Sequence, residues 1–197
     1  MLLYDSDVSG NCYKVRLLLT QLGLEYERYP MDVVDRSNRQ EVLGDLNPGL
    51  RVPTLVLDDE RPLGESGAIL WYLGDGTEYV PSDPYDRAKV LQWMFFEQYS
   101  HEPYVAVARF WLTKGIEVDP ETLAERQRVG YLALDAMEGH LAGHDFLAAE
   151  QYSIADIALY AYTHIAHEGG FDLSGHPAIG SWLGRVAAQP SHVTITA

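Results

Sequence analysis

The sequence predicts an α/β + all-α protein: an N-terminal unit of order β-α-β-α-β-β-α, followed by a C-terminal helical bundle. Three observations carry this. Short apolar runs alternate with helix-periodic segments as far as Leu73. A dense cluster of chain breakers, Gly74-Asp75-Gly76-Thr77 to Pro81-Ser82-Asp83-Pro84, then interrupts the pattern. Beyond it, apolar residues recur at helical spacing, with no strand pattern until the last few residues. The expected division is 1–76 for the α/β unit, 77–84 for the linker and 85–197 for the helical domain.

Leu2-Leu3-Tyr4 forms the first strand. Ser9-Gly10-Asn11 is a helix-start cluster, and Val15, Leu18, Leu19 and Leu22 continue at helical spacing to Gly23. Tyr26, Arg28, Tyr29 and Met31 form a second strand. Val42, Leu43 and Leu46 suggest a short helix before Asn47-Pro48. Thr54 to Leu57 and Leu63 flank a polar Asp-Asp-Glu-Arg tip, which reads as a hairpin, and Ser66 opens an apolar helix as its cap. A parallel pair joined by a helix, then an antiparallel hairpin, makes one mixed sheet.

In the second half, Asp86 to Thr113 is a long aromatic-rich helix with a kink expected at Pro103. Pro120 to His140 is another helix. Ser153-Ile154-Ala155-Asp156 is a capping box, with aspartate at the third helical position. His176-Pro177 starts a last helix carrying Ile179, Trp182, Leu183 and Val186, which ends near Pro190.

Composition narrows the function. The 197 residues carry a net charge of −15, which disfavours nucleic acid and anionic lipid as partners. No segment is apolar enough to span a membrane, and Met1 to Asp5 does not read as a secretion signal. The single cysteine, Cys12, excludes an internal disulfide framework and fits a reducing compartment, so a cytoplasmic location is expected. The histidines lack metal-ligand spacing apart from a loose His164/His167 pair, so no metal is expected.

The stretch Asn47 to Ser66 carries the most chemistry. Proline at the mouth of a strand donates no ladder hydrogen bond, and Val52-Pro53 is a bond that can be cis. A cis bond there leaves the Val52 N–H and C=O to pair with an extended peptide ligand. The first-turn N–H groups after Glu65-Ser66 make an anion site, with the Glu65 carboxylate placed to hold an ammonium. Together these suit a ligand with an amino-acid head and a peptide bond behind it.

Asn-Pro, then Val-Pro-Thr-Leu, then Leu-x-Glu-Ser-x-Ala-Ile resembles the glutathione-binding half of the cytosolic glutathione transferases, which carry a thioredoxin-like domain. The Ser-Ile-Ala-Asp-Ile-Ala box and the His-Pro-x-Ile-x-x-Trp stretch extend the resemblance over nearly the whole chain. It implies a cis Val52-Pro53 bond, glutathione as co-substrate, Val52 pairing with its cysteinyl unit, and Glu65 and Ser66 holding its γ-glutamyl head. Arg51 stands where relatives often place a lysine for the glycine carboxylate, and a bidentate guanidinium suits that role. A homodimer is implied too, with the N-domain of one subunit against the helical domain of the other.

The implied reaction is attack by the glutathione sulfur on a small hydrophobic electrophile. A free thiol has a pKa of about 8.5 and is only slightly ionised at neutral pH, so a donor at a helix N-terminus helps by stabilising the thiolate. Ser9-Gly10-Asn11-Cys12-Tyr13-Lys14-Val15 resembles the Ser-x-x-x-Trp/Tyr-Arg/Lys-Val pattern of serine-type transferases, which makes Ser9 the first catalytic candidate. Asn11 is the second, because some bacterial classes place an asparagine there, and the two can share the task. Tyr4 is a weaker candidate.

Two rivals stand beside this reading. Ser9-Gly-Asn-Cys12 looks like a glutaredoxin Cys-x-x-Cys with its first cysteine replaced; a buried, inert thiol on the first helical turn is the expected state, and with a depressed pKa Cys12 is instead the candidate nucleophile of a thiol-disulfide oxidoreductase. A non-catalytic scaffolding module on the same fold is the other. The electrophile site is expected between the domains, with Tyr99, Tyr104, Phe110 and Trp111 as lining candidates and His101 and Arg109 as polar handles. Arg39 and Gln40 are further candidates whose direction the sequence does not fix.

Overall fold

The computed structural model describes residues 1–197, which form two compact units, Met1–Gly76 with Pro190–Ala197, and Thr77–Gln189. In the first, β1 (Leu2–Asp5), α1 (Gly10–Gln21), β2 (Glu27–Pro30), α2 (Arg39–Leu43), β3 (Thr54–Val56), β4 (Pro62–Gly64) and α3 (Ser66–Gly74) follow the expected order. The sheet order is β2-β1-β3-β4, with β1 parallel to β2 and antiparallel to β3, and β3 antiparallel to β4. Leu3 stands opposite Leu55, and Leu55 opposite Leu63, so one face presents a row of leucines. That face packs with Val15 and Leu19 of α1 and Ile69 of α3 as a single core. Burying these side chains is worth roughly 1.5–3 kcal/mol each. It also fixes α1 and α3 beside each other on the sheet, which positions the candidate site.

Strand β2 is exposed along its length, as an edge strand with Glu27, Arg28 and Pro30 on it. Arg28 ties it to β1 through Asp5, a buried carboxylate that also pairs with the buried Arg16 at 2.7 Å.

The expected helical domain runs to residue 197, but the structure groups Pro190–Ala197 with the first unit. The cause lies in α1. Tyr13 Oη donates to Val193 O at 2.8 Å, and Arg16 donates to Ile195 O. Both side chains are buried, and a buried donor without an acceptor is costly.

The second unit comprises α4 (Pro84–Phe96), a π-helical turn (Glu97–His101), α5 (Glu102–Thr113), α6 (Pro120–Leu141), α7 (Ile154–Thr163), a 3₁₀ turn (Ala166–Gly169) and α8 (Pro177–Ala187). Asp83 and Asp119 cap α4 and α6 by accepting first-turn N–H groups, each followed by proline at a helix start where no N–H is needed. At the expected kink site, the π turn sits just before Pro103. Proline cannot serve the carbonyl four residues back, and the wider winding absorbs that mismatch.

Every residue of α7 is buried. The capping box at its start is present in both halves. Asp156 accepts from Ser153 N, Ser153 Oγ, Leu147 N and Trp182 Nε1 at 2.9 to 3.1 Å, and so joins α7 to α8 and to the loop before it. Burial pushes its carboxyl up to about 6 against the pull of those donors.

Candidate functional site

Ser9 is the N-cap of α1, in extended backbone, and its Oγ accepts the Cys12 N–H at 3.3 Å. Accepting that bond leaves the hydroxyl hydrogen as a donor, so capping and donation to a ligand are compatible. Asn11 lies in the first turn. Its Oδ1 accepts from Lys14 Nζ at 2.7 Å and from Ser66 Oγ at 3.1 Å. The second bond crosses from α1 to α3. It places the thiol candidates Ser9 and Asn11 beside the glutamyl candidates Glu65 and Ser66 at two neighbouring helix starts.

Ser66 does not cap α3 as the sequence suggested. It is the first helical residue, buried, and Glu65 occupies the cap position with φ 63° and no side-chain cap bond. The Glu65 side chain is exposed and makes no bond to the helix's own N–H groups. The first-turn N–H groups of α3 have no partner within the helix, which favours an anion there.

Val52-Pro53 is cis. The ladder to β4 begins at Thr54, so Val52 lies before it. Asn47 braces this bend. Its Nδ2 donates to Arg51 O at 3.1 Å and to Thr54 Oγ1 at 2.9 Å, while its Oδ1 accepts from Gly49 N. A Cβ at position 64 would come within 2.8 Å of the Asn47 amide, so a larger residue there would displace this brace. Arg51 is exposed, Val52 half-buried and Pro53 buried. Arg39 is buried and donates to Asp32 O and Leu50 O, which makes it a brace of the loop, and Gln40 is exposed.

Cys12 has no solvent exposure. Burial, and to a lesser degree Asp5, pushes its thiol up to about 12, so it stays protonated at neutral pH. That is the opposite of the depressed pKa a nucleophilic cysteine needs.

Residues 3–79 match the glutathione S-transferase N-terminal domain family, and residues 93–190 match its C-terminal domain family. The chain belongs to the glutathione S-transferase family. The crystal structure of a glutathione S-transferase from Pseudomonas fluorescens Pf-5 is 48% identical, with a TM-score of 0.96 over 100% of this chain and 98% of that one. Glutathione S-transferase 3 of Zea mays is 28% identical over 96% of this chain and 90% of its own length. Disulfide-bond oxidoreductase YfcG of Escherichia coli K12 is 26% identical over 92% and 87%.

For this member of the family, several helical-half candidates are already engaged. His101 is fully buried and bonded to Thr163 Oγ1 at 3.0 Å. Arg109 pairs with Glu168 at 2.7 Å. Neither serves as the free polar handle the sequence suggested. Tyr104 and Trp111 flank the Arg126 guanidinium at 5.4 and 5.1 Å from their ring centres, a cation–π arrangement. His164 stacks on Tyr160 and bonds to its carbonyl, and Tyr4 packs on Tyr29. Asn47 as a brace is a functional residue that the motifs alone do not single out. An asparagine before Pro-Gly is a turn signal that points to such side-chain capping.

Proposed function

We propose that this chain is a glutathione transferase that activates the glutathione thiol for attack on a small hydrophobic electrophile. Ser9, helped by Asn11, holds the thiolate. The Val52 backbone beside Pro53 pairs with the cysteinyl unit, Glu65 and Ser66 hold the γ-glutamyl head, and Arg51 meets the glycine carboxylate. The Asn11–Ser66 bond carries this reading, because it brings a candidate for the thiol and a candidate for the γ-glutamyl head within 3.1 Å of each other.

A homodimer accompanies it. Tyr85 and Phe95 of α4 and Tyr99 of the π turn after it are 72%, 67% and 84% exposed, aromatic surface that a second copy would cover. Light scattering is expected to report a dimer, and a monomer would contradict this.

A second reading is supported by the relative named a disulfide-bond oxidoreductase. There the same glutathione thiolate attacks a disulfide sulfur, forming one S–S bond as the other breaks and releasing a thiolate. Cys12 is not its nucleophile in this proposal, given its burial. Turnover of glutathione with an aryl halide and with a small disulfide, in wild type and in Cys12→Ser, tests both readings. Cys12→Ser is expected to retain each activity within about twofold, because a fully buried thiol pushed up in pKa takes no part in either reaction. Loss of disulfide turnover alone in a folded variant would restore the Cys12 mechanism.

A further inference from the structure

We infer that Lys14 is a positioning residue for thiol activation: its ammonium fixes and polarises the Asn11 amide so that the amide donates N–H to the sulfur. The inference rests on the reading that Asn11 meets the glutathione thiol. Lys14 follows Asn11 by three residues on α1, so the two side chains share a helix face. It is 1% exposed, and its Nζ lies 2.7 Å from Asn11 Oδ1.

An ammonium has donors only, whereas an amide has an oxygen that accepts and a nitrogen that donates. Lys14 therefore selects one of the two amide orientations, with oxygen towards itself. Ser66 Oγ donates to the same oxygen at 3.1 Å and reinforces that choice. With both donors on Oδ1, Nδ2 is turned to the other end of the amide. A charge-assisted bond to the oxygen also draws electron density from the amide and strengthens the N–H as a donor. Positive charge is thus relayed to the thiolate through Asn11, without a cation on the sulfur. When a γ-glutamyl carboxylate engages the Ser66 hydroxyl, Lys14 is the donor that keeps the amide in place.

The test is the pKa of the bound glutathione thiol, followed by thiolate absorbance across pH, with S-methylglutathione affinity measured alongside. Lys14→Met is expected to raise that pKa by about one unit, a tenfold loss of thiolate below it. Lys14→Arg is expected to restore most of the shift. In an Asn11→Ala background the Lys14→Met change is expected to add little, since contacts acting through one group are not additive. A full further unit in that background would overturn the proposal, because Lys14 would then act directly by its field. An unchanged pKa in folded Lys14→Met would overturn it as well. Where Lys14→Met does not fold, Lys14→Gln removes the charge while leaving a donor, and the same rise is expected. A wild-type protein that binds S-methylglutathione yet leaves the glutathione thiol unshifted would instead sink the underlying reading of Asn11.

Discussion

Replacing Ser9 and Asn11 together by alanine is expected to lower kcat/KM for glutathione conjugation by roughly 10²–10³-fold, the range for losing preorganised donors to a developing anion. The physical reason is the position of both side chains at the start of α1. Ser9 spends its acceptor on Cys12 N–H and keeps its hydroxyl hydrogen, while Asn11 commits its oxygen to Lys14 and Ser66. Each single substitution should have the smaller effect, because the remaining donor still meets the sulfur. Ser9→Ala also removes a helix cap and should cost about 1 kcal/mol of stability. Ser9→Gly separates the two roles, since glycine at an N-cap costs only about a few tenths of a kcal/mol yet removes the hydroxyl donor. Steady-state kinetics with thermal melts on the same samples check this. A double variant within threefold of wild type would show that the thiolate is held elsewhere.

The second large effect lies far from any chemistry. Asp156→Ala is expected to destabilise the protein by roughly 3–5 kcal/mol, the cost of breaking a fully buried charge-assisted network. The substitution leaves Leu147 N, Ser153 N and Trp182 Nε1 without their acceptor inside the helical core. Asp156→Asn should fall in between, because an amide accepts at one end only and sets a donor against donors at the other. Chemical denaturation measures both. If Asp156→Ala shifts the midpoint by less than the equivalent of about 1 kcal/mol, the box is not the keystone its geometry indicates.

Local chemistry made much of this molecule legible in the sequence. Val52-Pro53 at a strand mouth and the Ser153–Asp156 box depend on residues within a few positions of one another, and both appear as read. The order of strands and helices follows from periodicity, which is also local.

What escaped depends on distant partners or on backbone choices that composition does not signal. Residues 190–197 have no strong periodicity, and their docking is set by Tyr13, Arg16 and Arg28 at the other end of the chain. Glu65 rather than Ser66 sits at the cap of α3 because the chain enters with φ 63°, a conformation not suggested by a glutamate. His101 and Arg109 read as free polar groups, yet each finds a partner from another element. Cys12, by contrast, reads in the sequence as a buried thiol on the first helical turn, with a nucleophile as the alternative, and it is fully buried.

The central claim is that this site ionises the thiol of bound glutathione, and the most direct test is an ultraviolet difference titration of the wild-type protein with glutathione across pH. The expected result is saturable binding with the thiol pKa lowered by about one unit or more from its free value near 8.5. Saturable binding with the thiol pKa unmoved would contradict the claim.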